Sequence, residues 1–329
     1  MREAGVELLA TIEDLAVMGF SGLPALLPRL ARLRKDFIAR ARDNRPALVL
    51  LVDYPGFNLN LAEALRLLPY PPKVLYYIAP QVWAWRPGRV ERMRRTIDRM
   101  AVVLAFEEEY FRSRGLAADF VGHPLLDELS DVPRREVGGV PLLALLPGSR
   151  AGVLKRNLPA MIEAVRILRK SLPDMRVALA AAPGLPAALF AAASNSGIEI
   201  TADSRALLRQ ATAAAVCSGT ATLEAAIYGT PQAVVYRTSP LNYLIARRVV
   251  ELKQISLVNI IGSGGIVTEL IQHDFTPKRL AGILEQLIND AATRTRIAAG
   301  YQRVREVLGQ PGAALRTARI ATQMITSQN

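Results

Sequence analysis

The sequence predicts an α/β protein built from two doubly wound domains facing a cleft. Three observations carry that prediction. Short apolar runs, among them Ala47–Val52, Pro141–Leu146 and Ala213–Cys217, alternate with segments of helical period. Several runs end in turns of small or shaped residues: Asp53-Tyr54-Pro55-Gly56, Pro147-Gly148-Ser149-Arg150 and Ser218-Gly219-Thr220. A charged, turn-rich stretch, Asp131–Gly139, divides the alternation in two. It predicts domains over residues 1–138 and 139–308, with a C-terminal helix over 309–329 packing back on the first domain or on a partner subunit.

Composition narrows the function classes. The chain has 329 residues, 51% of them hydrophobic, enough for two cores and too apolar for disorder. One cysteine, Cys217, excludes a disulfide framework, and two histidines, His123 and His273, speak against a His-rich metal site. The net charge of +12 suits anionic partners: acidic lipid, a phosphorylated substrate or nucleic acid. Nucleic acid is disfavoured, because the charge lies on helices without stacking aromatics between. Met1–Glu7 lacks the basic-then-apolar order of a signal peptide, so a cytoplasmic protein drawn to a membrane surface is expected.

In chain order, Phe20–Arg42 reads as a basic amphipathic helix, fit either for an anionic membrane or simply for solvent. Ala47–Val52 reads as a buried parallel strand delivering Asp53, either a functional carboxylate or a helix cap. Val74–Ile78 runs into Gln81-Val82-Trp83-Ala84-Trp85-Arg86; the tryptophans either wall a sugar or acyl site or pack the core. Strand Met100–Ala105, helix Glu107–Arg114 and strand Ala118–Val121 follow, the last leading to His123, which reads as structural. After the linker, Pro141–Leu146 ends in Gly148, Ser149 and Arg150, a small turn with a fixed cation able to grip phosphate bidentately. A second such turn, Ser218-Gly219-Thr220, opens the Ala-rich helix that carries Glu224; it is either an anion site or an ordinary capped βα turn. Strand Gln232–Tyr236, helix Pro240–Glu251, apolar Ile255–Ile261 with Asn259, and a helix over Ile266–Gln272 with Glu269 complete the second domain.

Several of these stretches together resemble the lipid-A-disaccharide synthase family. They are Asp14–Phe20, Asp53–Asn58, Pro80–Trp85, Gly122–Leu125, Pro147–Arg150, Ser218–Glu224, Ser239–Arg248, Asn259 and Glu269, in that order and spacing along nearly the whole chain. The resemblance implies an inverting transferase of the two-Rossmann GT-B architecture. It would move 2,3-diacylglucosamine from UDP-2,3-diacylglucosamine to 2,3-diacylglucosamine 1-phosphate at the inner face of a Gram-negative inner membrane. No metal or cofactor is expected, and a homodimer with exchanged C-terminal segments is compatible with it. It also implies roles: Asp53 as the catalytic base; Gly148, Ser149, Arg150, Ser218, Gly219, Thr220, Glu224, Asn259 and Glu269 around the donor UDP; Gln81, Trp83, Trp85 and Arg86 on the acceptor or membrane side.

Departures from the family pattern are also visible. A Gly-rich strand–loop–helix unit that opens family members is missing before Met1, so an incomplete first domain and a start assigned inside a longer frame are expected. Val153 stands where a Glu is usual, Gly262-Ser263-Gly264-Gly265 replaces a charged loop, and Val258 and Thr268 replace prolines. Two other readings remain: another GT-B enzyme using a UDP-amino sugar, and a homologue that binds UDP-sugar or membrane without turnover.

Overall fold

The structure is a computed structural model, and it describes residues 4–11, 23–83, 88–129, 139–239, 243, 254–262 and 264–326. Asp14–Phe20, Trp85, Arg86, nearly all of the linker and the helix expected over Pro240–Glu251 lie outside the described residues. The chain divides into two compact units, Met1–Pro124 with Pro311–Asn329, and Leu125–Gln310.

The first unit runs α1 (Leu23–Asn44), β1 (Leu48–Val52), α2 (Pro55–Arg66), β2 (Lys73–Tyr77), α3 (Arg89–Thr96), β3 (Arg99–Val102), α4 (Ala105–Arg112) and β4 (Ala118–Phe120). Helix α5 (Pro124–Leu129) leads into the second unit. There follow β5 (Leu142–Leu146), α6 (Ala151–Leu168), β6 (Arg176–Ala180), a 3₁₀ turn (Ala187–Phe190) continuing as α7 (Ala191–Ser194), and β7 (Glu199–Thr201). Next come α8 (Ser204–Gln210), β8 (Ala213–Cys217), α9 (Thr220–Tyr228), β9 (Gln232–Tyr236), α10 (Leu257–Ile261), β10 (Thr268–Ile271), α11 (Pro277–Asn289) and α12 (Ala291–Leu308). Helix α13 (Ala313–Thr326) returns to the first unit.

The first sheet is parallel and ordered β1-β2-β3-β4. Alternate side chains build its core: Val49, Leu51, Val74, Tyr76, Met100 and Val102 pack on one face against Leu59, Ala62, Leu65, Met93 and Phe111. On the other face Leu75, Ala101 and Val121 meet Ile320 and Met324 of α13. Among the described residues strand β1 is at the edge of this sheet, which corrects the reading of a strand buried on both faces. Leu50 is 46% and Val52 41% exposed, because α13 covers only the Leu48 end of that face.

The second sheet is also parallel, ordered β10-β9-β8-β5-β6-β7. Strands β5 and β8 are buried at every position, as their uninterrupted Leu and Ala content requires of strands covered on both faces. Helix α6 packs through Leu154, Leu158, Met161, Val165 and Leu168, spaced three and four apart. Starting from β5, the chain winds outward through β6 and β7, then returns to β8 beside β5 and winds the other way. The turns after β5 and β8 therefore flank the point where strand order reverses, the crevice in which such sheets bind ligands. One element differs from expectation. Residues 268–271, read as helical, form strand β10 against β9, and Val267 and Leu270 are buried where Thr268 is exposed.

Candidate functional site

An open cavity of ≈ 470 Å³ lies at this switch point, lined by Gly148, Ser149, Arg150, Val153, Cys217, Ser218, Gly219, Thr220, Ala221 and Tyr236 among others. Two helices begin at its wall. The first N–H groups of a helix have no intrahelical partner, and neither α6 nor α9 has a side-chain cap. Their partial positive charge faces the cavity. Glycine is required on both turns. Gly148 has φ 117°, and a Cβ there would meet Val153 Cγ1 at 3.0 Å and Cys217 Sγ at 3.2 Å. Gly219 has φ 153° with ψ −164°, a region essentially closed to other residues. Arg150 is exposed, and its side chain pairs with no group among the described residues. Burial pushes the Cys217 thiol up to about 11, so the cavity floor is a neutral thiol, not a nucleophile; the nearby Asn157 and Arg150 oppose that shift only in part.

The side chain that organises the turns is one that the sequence reading passed over. Asn157 on α6 is fully buried; its Nδ2 donates to Pro147 O at 3.0 Å and to Cys217 Sγ at 3.4 Å, and its Oδ1 accepts from Arg237 N at 3.0 Å. One amide thus ties together the ends of β5, β8 and β9. The signal was an Asn inside the apolar stripe of α6, between Leu154 and Leu158. Replacing it with Leu keeps the branched outline and strands the Pro147 carbonyl and Arg237 amide, each costing about 1–3 kcal/mol. The Asn157→Leu protein is expected to unfold at lower urea concentration by an amount corresponding to about 2–4 kcal/mol, read from equilibrium unfolding curves.

Four expected donor contacts are bonded within the protein. Ser218 Oγ donates to Ile255 O at 2.9 Å, so its proton is committed within the protein. Asn259 is buried with both amide ends used: Nδ2 donates to Val267 O at 2.9 Å and Glu269 Oε1 at 2.8 Å, and Oδ1 accepts from Ile266 N and Val267 N, each at 3.0 Å. Glu269 accepts from Ile255 N at 2.8 Å, Ser256 N at 3.1 Å and Ser256 Oγ at 2.6 Å. Asn259 and Glu269, expected near uridine or pyrophosphate, thus spend these polar atoms on bonds within the protein. They tie Ile255 and Ser256 to Ile266 and Val267, and Ile255 in turn holds Ser218 at the cavity mouth. Glu224, 13% exposed, pairs with Arg205 at 3.3 Å and does not line the cavity; Arg205 also pairs with Glu128.

In the first unit, strain gathers at two adjacent strand ends. Asp53 (φ 45°), Tyr54 (φ 43°) and Ile78 (φ 61°) are left-handed and not glycine. For a β-branched Ile this is a rare conformation, and such outliers gather where function fixes the backbone. Asp53 N donates to Tyr77 O at 2.9 Å, joining the two ends. The Asp53 carbonyl accepts from Asn58 Nδ2 at 2.7 Å and from Tyr76 Oη at 2.6 Å, and Asn58 also reaches Val52 O at 3.0 Å. Burial, with the Asp53 charge adding to it, holds the Tyr76 phenol well above its ordinary value, so it stays a donor. The backbone of Asp53 is thereby clamped while the residue itself is exposed.

The next loop presents Gln81, exposed between buried Pro80 and Val82, whose N–H donates back to Pro80 O at 2.6 Å in a three-residue turn. Trp83 is half-buried, meets Phe106 edge-on at 5.0 Å between centroids, and donates Nε1 to Glu107 Oε1 at 2.9 Å. The N–H of its indole is thus committed to the protein. Burial pushes His123 down to about 4, leaving a neutral imidazole at pH 7.

Glu107, 1% exposed, also accepts from Val103 N and Leu104 N at 3.3 and 3.1 Å. Burial outweighs these three bonds and pushes its carboxyl from 4.5 up to about 7. A raised acid gives stability in full below the unfolded value and loses it as pH rises through the folded value. Wild type should therefore lose about 3 kcal/mol more than Glu107→Gln between pH 4.5 and pH 7.5, at ~1.4 kcal/mol per pH unit. Urea unfolding of both proteins across that range reads the difference.

Two Rossmann-type α/β units in one chain, one with an anion-suited cavity at its switch point, define the GT-B class of glycosyltransferase fold. The comparisons with known proteins take this further. The Lipid-A-disaccharide synthetase family profile matches residues 1–324. The lipid-A-disaccharide synthase of Anaeromyxobacter dehalogenans (strain 2CP-1) is 40% identical over 330 residues, covering 97% of this chain and 86% of that protein. That of Geobacter sulfurreducens is 36% identical over 340 residues, covering 100% and 88%. Among solved structures, the glycotransferase of kitacinnamycin superposes with a TM-score of 0.59 at 17% identity, covering 98% of this chain and 87% of that one. The chain belongs to the lipid-A-disaccharide synthase family and is a glycosyltransferase of lipid A biosynthesis.

Proposed function

We propose that the second unit binds UDP-2,3-diacylglucosamine and that Asp53 of the first unit activates 2,3-diacylglucosamine 1-phosphate as acceptor. The observation that carries the donor reading is the cavity between two uncapped helix starts, with the guanidinium of Arg150, which pairs with no group among the described residues, at its wall. As the bond to the anomeric carbon breaks, negative charge gathers on the leaving UDP. Preorganised backbone N–H groups and a fixed cation stabilise that charge in place. Asp53 takes the proton of the attacking hydroxyl while the new β-1,6 bond forms, giving inversion in a single displacement. The strained, clamped backbone of Asp53 supports this role, since it holds the residue in one orientation.

Both substrates are acylated, and the chain carries a net charge of +12. No helix among the described residues is long and apolar enough to cross a membrane. Work at an anionic inner-membrane surface, through basic residues such as Arg32 and Lys35 of α1, is part of this reading. So is a homodimer. The test is a product assay with radiolabelled UDP-2,3-diacylglucosamine and 2,3-diacylglucosamine 1-phosphate. Stoichiometric UDP and disaccharide 1-phosphate are expected; hydrolysis of the donor, or transfer only to a different acceptor, would rule the reading out.

A further inference from the structure

We propose that Glu107 is a positioning residue for the acceptor, acting through Trp83. This rests on assigning the acceptor to the first unit and goes beyond it by naming what fixes the loop over residues 79–83. A helix start needs only a short polar cap, and Ser, Thr or Asp supplies one without burying a long carboxylate. Here the N-cap is Leu104, and Glu107, at the third helical position, buries a carboxylate that reaches back to its amide. One oxygen, Oε2, takes the Val103 and Leu104 amides at the end of β3, and the other, Oε1, reaches Trp83 on the loop that follows β2. Phe106, beside Glu107 on α4, takes the edge of the same indole ring.

The clamp therefore joins two strand ends through side chains rather than through the sheet. What it fixes is specific. The loop it holds starts after Ile78, a strained residue whose neighbour Tyr77 accepts the Asp53 amide. Its apex is Gln81, the exposed polar residue between two buried ones. A buried ionisable group with all its partners present is a recognised way of fixing one arrangement at a cost in stability. In this chain that arrangement is the loop that presents Gln81 after β2, the strand whose end bonds the Asp53 amide. Glu107 touches no reacting atom in this account; its effect passes through Trp83.

The deciding experiment is steady-state kinetics with each substrate varied in turn, alongside UDP titration and thermal unfolding. The primary variant is Trp83→Phe, which keeps an aromatic ring against Phe106, removes the N–H donor with part of the indole and leaves the Glu107 bonds to Val103 and Leu104 intact. It should melt with wild type and raise the acceptor KM roughly tenfold, with donor KM and UDP affinity unchanged. Glu107→Gln should raise acceptor KM to a similar degree, and the double variant should be no worse than either single one, because both act through one bond. A folded Trp83→Phe enzyme with an unchanged acceptor KM would overturn the proposal. So would equal changes in donor and acceptor KM, or single effects that add in the double variant. The assignment of the acceptor side is judged separately by Asp53→Asn in the same assay, so its failure and that of the clamp are told apart.

Discussion

Asp53→Asn is expected to cut turnover by roughly 10²–10⁴-fold, the range for losing a general base. Asn is the informative substitution because of the backbone. At φ 45° Asp and Asn are the side chains that best tolerate the left-handed region, whereas Ala adds strain of about 1 kcal/mol to the chemical loss. The bonds from Asn58 and Tyr76 end on the Asp53 carbonyl, so Asn keeps both. Thermal unfolding should match wild type, and UDP affinity should be retained. A folded Asp53→Asn enzyme with near-normal turnover would mean that another group takes the proton.

Arg150→Ala is expected to lower UDP affinity about 10–100-fold, corresponding to a charge-assisted hydrogen bond of roughly 1.5–3 kcal/mol. Stability should hold, because Arg150 is exposed and pairs with nothing among the described residues. That separates it from Arg205, whose replacement would break pairs to Glu128 and Glu224. Arg150→Lys should recover only part of the affinity, since an ammonium keeps the charge and loses the planar fork. Titration calorimetry with UDP measures all three proteins, and equal affinity in Arg150→Ala would remove Arg150 from the donor site.

The sheet and the two glycine turns were legible because their signals are local. Ala213–Cys217 reads as a strand from its own apolar run, and it is one. Gly148 and Gly219 mark turns in sequence, and positive φ explains them. What stayed illegible depends on partners far along the chain. Asn259 and Glu269 look like ligand contacts because polar residues among apolar ones often are. Only the fold reveals that Ile255, Ser256, Ile266 and Val267 already consume their polar atoms. Asn157 is hard to read for the converse reason: it sits in a helix stripe of structural character, yet it ties three strand ends. Periodicity also misjudged residues 268–271, where β-branched residues favour pairing with β9 over a helical turn. Strand β1 looked buried because its apolar run is continuous, and the run does not reveal that nothing among the described residues covers Leu50 and Val52.

The proposed role of the switch-point cavity of the second unit is to grip the diphosphate of the donor. Its most direct test is the affinity of the wild-type protein for UDP, UMP and uridine at one ionic strength. If helix starts and Arg150 provide the grip, each phosphate removed should weaken binding about tenfold or more, and uridine should bind poorest. Uridine binding as tightly as UDP would contradict the account, because the cavity would then be reading the base and ribose and not the diphosphate.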